Sequence, residues 1–400
     1  MKLLTKLVAC FLLLAGLASA QNLVLTNAKI YPSPTTLPIE GATIVIRDGK
    51  IENVSMGKVR VEKGSDVIDC KGKVVVAGFW NSHVHFSDDT WKDAEKATAD
   101  KLESHMQEML THWGFTTVWD LGSEPRNTLA LRKRVEAGEV PGPKILMAGD
   151  IFPKGGHPVY LPAELQLPEA ATPADALRMV RGYFYMGLDG TKLFTGSYMG
   201  RDKPVINMDP DIVKSAVDIT HEMHRPVFAH PQNHAGVDVA LNGGVDILAH
   251  TIPSEGSFTD AELAQMKKQH TGLIPTLTLF TTVVNDPAIQ EVLVGAGVSE
   301  LKTYFDQGGM ILFGTDVGFV KEYDTAQEYE FMGRAMAWKD ILASLTTNPA
   351  EFFKEPTKGR VEQGMDADLV VLDADPATDV KNFAKVRMTV RSGKIIYQEK

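Results

Sequence analysis

Two histidines lie one residue apart in the segment VVVAGFWNSHVHFSDD, which spans residues 74–89. Side chains at positions i and i+2 of a β-strand point to the same face, so His83 and His85 are expected to project together from the end of an apolar run. Paired imidazoles are typical metal ligands. Ordinary core or surface histidines can show the same spacing, so the rest of the chain has to decide between the two interpretations.

Further polar residues occur at the ends of other strand-like runs. Lys192 lies in GTKLFTGS, His230 ends PVFAH, His250 lies near the end of VDILAHT, and Asp316 lies near the end of MILFGTDVG. Together with the His-x-His pair, they form a nitrogen and oxygen donor set that suits zinc or a similar divalent ion. Each residue also has an ordinary alternative, because a histidine can hydrogen-bond in the core and an aspartate can cap a helix.

Lys192 is the unusual member of this set. Burial lowers the pKa of a lysine because it disfavours the charged form. A neutral, desolvated amine can react with carbon dioxide to form a carbamate, which is an anionic and carboxylate-like bridge for two metal ions. The alternative is that Lys192 is an ordinary charged lysine at the rim of the site.

Strand-like runs alternate with helical patterns through the middle of the chain. The eight runs are the one ending at His85 and those at 116–122, 144–152, 190–197, 226–230, 245–251, 272–279 and 310–318. Helical patterns at 93–112, 126–137, 173–186, 209–223, 259–269, 298–306 and 324–345 separate most of them. This alternation predicts an α/β fold, a parallel (β/α)8 TIM barrel, whose functional residues lie at the C-terminal strand ends. An open doubly wound sheet is disfavoured, since no Gly-rich nucleotide loop follows an early strand.

Short alternating strand patterns also occupy both ends of the chain. Asp48–Gly49 and Ser392–Gly393 are typical hairpin turns between such strands. We therefore predict that residues 21–76 and 357–400 form one small β-sandwich domain, and that residues 77–356 form the barrel.

The first twenty residues have a different character. Lys2 and Lys6 precede an apolar stretch at 7–17, and the small residues 18–20 resemble a signal-peptidase site. We expect a secretory signal peptide at residues 1–20 and a mature chain that begins at Gln21. The protein is then periplasmic or secreted, with no membrane anchor after cleavage.

The net charge restricts which partners the protein can bind, and the cysteine content decides whether it can contain a disulfide. Removal of Lys2 and Lys6 with the leader would change the formal net charge from −10 to −12. Such an acidic chain is a poor candidate for binding nucleic acid or an anionic membrane surface. Only Cys70 remains outside the leader, so no intrachain disulfide can form. The sequence leaves open whether the protein forms a homo-oligomer.

A series of motifs carries a family resemblance. NSHVHF, GFTTVWDLG, GTKLFTGS, VFAH, GGVDILAHT, ILFGTDVG, LTTNPAEFF and GMDADLVVLD occur in this order over nearly the whole mature chain. Through these motifs the chain resembles the amidohydrolase superfamily, and within it the branch of imidazolonepropionase-like and prolidase-like enzymes. The resemblance implies a metal-dependent hydrolase that acts on carbon–nitrogen bonds, including peptide bonds.

The resemblance also implies roles at matched positions. His83, His85 and Asp316 would bind the first of two divalent ions, zinc being the expected metal. His230 and His250 would bind the second ion, and carboxylated Lys192 would bridge both. Asp316 would also be the catalytic residue that accepts a proton from the attacking water and passes it to the leaving nitrogen.

Two departures concern the substrate. PQNH follows His230, where prolidase-like relatives carry small residues and a tyrosine that contacts the substrate. GGHP at 155–158 resembles the Gly-Gly-His segment that contacts the substrate in that branch, although the residue after it differs, and this makes His157 a candidate substrate contact. Arg201 is a second candidate, for a substrate carboxylate. Both can also be ordinary loop residues, and no substrate beyond a small amide, dipeptide-like or cyclic amide molecule can be carried over.

Three function hypotheses follow. The leading one is an exported binuclear hydrolase that uses a metal-bridging hydroxide, since two ions can bring the pKa of a shared water towards about 7. The second is a mononuclear hydrolase or deaminase in which Lys192 is an ordinary amine. The third is an inactive binding protein that kept the barrel. Metal stoichiometry separates the first two, and turnover separates both from the third.

Overall fold

The computed structural model of the protein describes residues 22–57 and 59–399. The predicted signal peptide and the predicted mature start at Gln21 lie outside these residues. Among the helices in the described ranges, none has the length and apolar character needed to cross a bilayer.

The strands of the described residues belong to one sheet from the chain ends, one sheet from the middle of the chain, and a short hairpin. In chain order they are β1 (Leu23–Ile30), β2 (Ile39–Arg47), β3 (Lys50–Met56), β4 (Asp66–Asp69), β5 (Val74–Ala77), β6 (Phe79–Val84), β7 (Phe115–Asp120), β8 (Lys144–Pro153), β9 (Glu169–Ala170), β10 (Gly190–Leu193), β11 (Gly196–Ser197), β12 (Ile206–Asn207), β13 (Val227–Ala229), β14 (Ile247–Leu248), β15 (Gly272–Leu273), β16 (Met310–Ile311), β17 (Leu369–Leu372), β18 (Val386–Arg391) and β19 (Lys394–Gln398).

The α-helices lie in the middle of the chain, mostly between strands of the second sheet. They are α1 (Ala99–Met109), α2 (Pro125–Glu136), α3 (Pro173–Met186), α4 (Pro210–Glu222), α5 (His234–Gly243), α6 (Asp260–Gln269), α7 (Pro287–Asp306), α8 (Ala326–Gly333), α9 (Trp338–Leu345) and α10 (Thr347–Phe352). Short 3-10 helices occur at Thr111–Trp113, Leu277–Thr281 and Val380–Ala384.

The middle sheet is parallel and curls into a barrel. Its strand order is β6-β7-β8-β10-β13-β14-β15-β16, with β9 paired to β8. The chain beyond β16 then meets β6: Ser82 N donates to Phe313 O at 2.7 Å, and His85 N donates to Val317 O at 2.7 Å. These bonds join the last strand segment to the first. The predicted (β/α)8 barrel is therefore confirmed.

Local sequence signals explain where the barrel helices begin. Thr172 and Thr259 each form a capping box with an acidic residue three positions later, and proline occupies the first helical position of α3 and α4. One face of α4 buries apolar residues at helical spacing, including Ile212, Ala216 and Ile219. The helices are thus specified at their ends by capping and along their length by burial against the barrel.

Both chain ends contribute to one mixed sheet, in the order β19-β18-β17-β5-β1-β2-β3, with β4 also paired to β1. This sheet has its own apolar core, to which Leu25, Ile44, Val75 and Leu369 contribute. The predicted composite domain from the two ends is confirmed as part of the fold. Its boundaries at 76/77 and 356/357 stay a prediction.

The apolar run before the histidine pair contributes to two sheets. Val74–Ala77 is β5 of the terminal sheet, and Phe79–Val84 is β6 of the barrel. Gly78 lies between them, and a Cβ there would be 2.3 Å from Thr116 Oγ1. The chain therefore passes from one sheet to the other at a glycine, because Thr116 of β7 leaves no room there for a side chain.

Several helix boundaries differ from the sequence patterns. α5 was not predicted, because Gly236 and Gly243 lower the helix propensity of its sequence, although Asn233 caps its first turn. α7 begins at Pro287, well before the predicted 298. The predicted helix at 324–345 is two helices, because Ala337 is extended with ψ 159° and N-caps α9.

Candidate active site

Three of the predicted ligands meet at the C-terminal end of the barrel. His83 Nε2 and His85 Nε2 are 3.3 Å apart, and they lie 3.2 Å and 2.9 Å from Asp316 Oδ1. The ligand atoms all lie within 4.8 Å of one another. We call His83, His85 and Asp316 the first group. The prediction that positions 83 and 85 share a face agrees with this geometry.

The hydrogen bonds around the first group show which atoms face its centre. His83 Nδ1 is 3.2 Å from Ala249 O, and His85 Nδ1 is 3.3 Å from Gly122 O. A carbonyl oxygen can only accept, so both Nδ1 atoms carry the proton and both Nε2 atoms present lone pairs to the centre. Asp316 Oδ1 is buried and has no hydrogen-bond partner. Three converging acceptor atoms fit a divalent cation between them.

The pKa shifts of the two histidines in the first group have opposite directions. Burial lowers the pKa of His83 well below its usual value, and the Lys192 charge lowers it further. For His85, burial alone would lower the pKa, but the adjacent Asp316 carboxylate outweighs this effect and raises the pKa. His83 is therefore held as the neutral imidazole, which is the form that binds a metal.

Three further predicted residues adjoin the first group; we call Lys192, His230 and His250 the second group. The ring centroids of His230 and His250 are 4.6 Å apart, and those of His83 and His250 are 4.7 Å apart. The His230 ring stacks on Phe194 with a centroid distance of 4.7 Å. The four predicted histidine ligands and Asp316 therefore lie around one centre.

A side-chain hydroxyl orients His250. His250 Nδ1 is 2.7 Å from Thr276 Oγ1, which itself donates to Pro275 O at 2.8 Å. Since the hydroxyl proton is used on Pro275, Thr276 accepts from His250 Nδ1, and His250 Nε2 keeps its lone pair. Burial lowers the pKa of His250 well below its usual value.

Lys192 is buried inside the barrel, with only 1% of its surface exposed. It is paired with Asp150 in the register of β8 and β10, and its Nζ lies 5.7 Å from the centroid of the Phe194 ring. Burial lowers the pKa of Lys192 to about 8, although the charges of Asp316 and Asp150 oppose this shift. Roughly a tenth of the amine is then neutral at pH 7, far more than for an ordinary lysine. Burial, followed by the Lys192 charge, lowers the pKa of His230 to about 3.

An uncommon backbone conformation places Asp316. Its φ is 58°, in the left-handed region, and its N–H donates to His83 O at 2.9 Å. Gly318 has φ 102°, and a Cβ there would lie 1.9 Å from His85 O, so only glycine fits. Strain of this kind persists where the surrounding structure determines the position of a functional group.

Asp120, at the end of β7, was missed by the sequence reasoning. It is fully buried, and its carboxylate accepts from Ser123 Oγ and from Thr128 Oγ1, both at 2.7 Å. Ser123 Oγ in turn accepts from Phe86 N at 2.8 Å. This network holds the loop that supplies Gly122 O to His85. Burial raises the pKa of Asp120 to about 6, against the opposing charge of His85.

Asp150 and Glu328 were also missed. Burial raises the pKa of Asp150, which lies beside Lys192, to about 6. Glu328 is buried, and its carboxylate accepts from Leu277 N at 2.9 Å and from Thr278 N and Oγ1 at 2.7 Å each. It thereby caps the 3-10 helix that begins just after Thr276, the residue that orients His250. Asp120 and Asp150 lie near the ends of predicted strands, so the same strand-end rule that indicated the histidines would have found them. Glu328 has no such sequence signal.

The two predicted substrate contacts lie in loops near the barrel mouth. His157 Nδ1 is 3.1 Å from Pro158 O, and His157 Nε2 is 3.2 Å from Leu165 O, so both ring nitrogens face carbonyls of their own loop. Arg201 is exposed in the loop between β11 and β12. The geometry assigns His157 a part in holding its loop, and a substrate contact by either residue stays a prediction.

Comparison with known proteins adds the family context. The model of the Amidohydrolase family matches residues 74–396. An ochratoxinase from Aspergillus niger is 25% identical over 358 residues, which cover 78% of this chain and 72% of that protein. Its crystal structure superposes with a TM-score of 0.75 at 20% identity, over 95% of this chain and 96% of that one. A Xaa-Pro dipeptidase with bound methionine in its active site superposes with a TM-score of 0.80 at 21% identity, over 95% and 100% of the two chains.

Proposed function

Because this chain belongs to the amidohydrolase family, we propose that it hydrolyses an amide or peptide-like bond of a small molecule with the help of two divalent metal ions. The broader class, a hydrolase that acts on carbon–nitrogen bonds, follows from the family and from its relatives. The observation that carries the proposal is the convergence of two imidazole nitrogens and the unpartnered Asp316 Oδ1 on one centre.

The first group would hold one ion and the second group the other, with carboxylated Lys192 shared between them. Nitrogen and oxygen donors of this kind favour zinc. Two properties of Lys192 support the carbamate: its burial and its lowered pKa of about 8, which leaves neutral amine available to react with carbon dioxide. Carboxylation would also replace a cation, which repels metal ions, by an anion.

When bound, the ions would lower the pKa of a water molecule towards about 7 and polarise the substrate carbonyl. The protein supplies the proton transfers. Asp316 lies at the centre of the site, its backbone is held by His83 O, and its carboxylate is placed to accept a proton from the attacking water. Asp316 then delivers this proton to the leaving nitrogen, which departs as an amine. His83 and His85 would act as ligands through Nε2, because main-chain carbonyls hold their Nδ1 protons.

A mononuclear hydrolase or deaminase is the second candidate function. It is favoured by one observation: the first group has its three donor atoms within 4.8 Å, whereas the second group needs a modified Lys192 to gain an anionic ligand. One tightly bound ion per chain at full activity would support this alternative over the binuclear scheme.

The direct test is a hydrolysis screen of metal-reconstituted protein against dipeptides, N-acyl amino acids and cyclic amides. We expect turnover of at least one of these classes and its loss on chelation, with recovery when zinc is returned. Absence of turnover from fully metal-loaded protein across the whole panel would contradict the proposed function and favour the inactive binding protein.

We also propose that the protein is exported as a soluble enzyme. The support is the pattern of charged, apolar and small residues at 1–20. N-terminal sequencing of protein from its native host should give Gln21 as the first residue. A lipid-modified Cys10 at the mature start would contradict this. A homo-oligomer remains a prediction that solution mass measurements can test.

A further inference from the structure

Large apolar side chains are exposed on two loops at the C-terminal end of the barrel. Val159, Tyr160 and Leu165 lie in the loop after β8, and Tyr198 follows β11. Their exposed fractions are 55%, 38%, 46% and 36%. We call these four residues the apolar rim. An exposed apolar patch beside a polar site is typical of a ligand-binding surface, because a ligand can remove it from water.

Hydrogen bonds hold the two loops of the apolar rim together. Val159 N donates to Tyr198 O at 3.2 Å, which joins the loop after β8 to the loop after β11. His157 lies between the carbonyls of Pro158 and Leu165, at 3.1 Å and 3.2 Å. Gly155 N donates to Glu169 Oε2 at 3.0 Å at the base of the same loop. The rim is therefore a held surface with a defined position relative to the barrel.

Aromatic contacts connect the rim to the metal-site residues. The Tyr160 ring packs edge-on against Phe319, with centroids 5.4 Å apart and an angle of 72°. Phe319 N in turn donates to Asp316 O at 3.2 Å. On the other side, Phe194 lies just before β11 and stacks on both Phe152 and His230, at 3.9 Å and 4.7 Å. Aromatic contacts thus link Tyr160 of the rim to the Asp316 segment, and Phe194 lies beside His230 of the second group.

We infer that the apolar rim is the subsite for a large apolar or aromatic group of the substrate next to the scissile amide. The substrate class is an N-acyl amino acid or dipeptide whose amino-acid side chain is the large apolar group. This inference rests on the proposed hydrolase function and deepens it. The chemistry is complementary: the carbonyl and nitrogen of the amide lie at the polar centre, and the apolar group covers Val159, Tyr160, Leu165 and Tyr198.

The experiment is a matched substrate series with the metal-loaded protein. N-acetyl amino acids with alanine, serine, leucine and phenylalanine side chains share one scissile amide, and benzoyl in place of acetyl varies the other side of the bond. We expect kcat/KM to rise roughly tenfold or more from alanine to phenylalanine, and to change less from acetyl to benzoyl. Leu165→Ser and Tyr198→Ser should flatten this series mainly through KM, whereas Tyr160→Phe should preserve it.

Tyr185→Ser is the matched control, because Tyr185 is a 94% exposed aromatic residue at the end of α3, away from the rim loops. It should leave the series unchanged. Turnover of the alanine, serine and phenylalanine substrates at equal kcat/KM would overturn the inference while leaving the proposed function intact. Rim variants that change the oligomeric state and not the selectivity would overturn it too, since the rim would then be a contact between copies of this chain.

A binding measurement keeps the inference testable when no substrate is turned over. Calorimetric titration of the protein with N-acetylphenylalanine and N-acetylserine compares two ligands with the same carboxylate and amide. We expect tighter binding of N-acetylphenylalanine, and loss of that preference in Leu165→Ser but not in Tyr185→Ser. Equal affinities of wild type for the two ligands would contradict the inference, whereas absence of turnover alone would contradict only the proposed function.

Discussion

The two groups of the site are held in place by different kinds of contact. In the first group, main-chain carbonyls at Ala249 and Gly122 fix the two imidazoles, and a backbone bond to His83 O fixes Asp316. In the second group, a side-chain hydroxyl orients His250 and an aromatic ring supports His230. The first group therefore depends on the closure of the barrel, and the second on individual side chains.

This difference predicts how the two groups respond to substitution. Main-chain contacts survive most side-chain changes, so the first group should keep its geometry unless a ligand itself is removed. The second group should lose metal affinity when a single supporting side chain changes, and it also depends on the modification of Lys192. The predictions below test this difference, from the largest expected effect to the smallest.

Substitution of Asp316 should have the largest effect. Asp316→Asn keeps a residue type that tolerates the left-handed conformation but removes the anionic ligand and the proton acceptor. We expect kcat/KM to fall roughly 10³-fold or more, with a folded protein. Steady-state kinetics and metal analysis measure the effect, and Glu322→Gln, at an exposed acidic residue further along the same segment, is the control. Full activity in Asp316→Asn would exclude Asp316 as the catalytic residue.

Lys192→Ala should separate the two groups. The first group keeps all its ligands, so one ion should remain, whereas the second ion should be lost, and activity should fall on the order of 10²-fold. A short carboxylic acid should partly restore both, because a small carboxylate can occupy the bridging position. Metal content per chain is the readout, with Lys203→Ala as the matched control.

The rescue should be specific to the bridging position. His83→Ala should not recover with the same carboxylic acid, because it lacks a first-group imidazole. If Lys192→Ala keeps two ions and most of its turnover, the bridge is wrong and the mononuclear alternative takes its place.

Thr276→Val should weaken the second group alone. The change keeps the side-chain shape and removes the acceptor for His250 Nδ1. We expect an affinity for the second ion that is roughly 10- to 100-fold lower, with the first ion unaffected. Thr276→Ser, which retains the hydroxyl, is the control. Competition with a chelator measures the two affinities, and an equal loss at both sites would argue against separate support of the groups.

Ser123→Ala should have the smallest effect on activity. It removes the link between Asp120 and Phe86 N but leaves Gly122 O available to His85. We expect a change of a few-fold at most in kcat/KM, together with about 1–3 kcal/mol lower free energy of unfolding, because two buried polar atoms lose a partner. Denaturant unfolding and kinetics measure the two quantities. A large loss of metal with little loss of stability would show that the first group also depends on side chains.

The sequence by itself predicted the barrel and the meeting of His83, His85 and Asp316 at its C-terminal end. Both follow from local patterns: alternation along a strand puts His83 and His85 on one face, and parallel strands bring their C-terminal ends to one edge. Local capping signals likewise placed the starts of α3 and α4. Such features depend on neighbouring residues in the chain, so spacing and residue type are enough to predict them.

Only the tertiary structure decided how the six residues are supported and what surrounds them. The carbonyl that orients His83 belongs to Ala249, which lies far along the chain. The carbonyl that orients His85 belongs to Gly122, in the loop after β7. Glu328 caps a 3-10 helix some 50 residues away, and the apolar rim forms because Val159 bonds to Tyr198. These contacts depend on strand register, loop conformation and the left-handed backbone at Asp316. No local pattern encodes such features, because each is stable only when distant segments are already packed together.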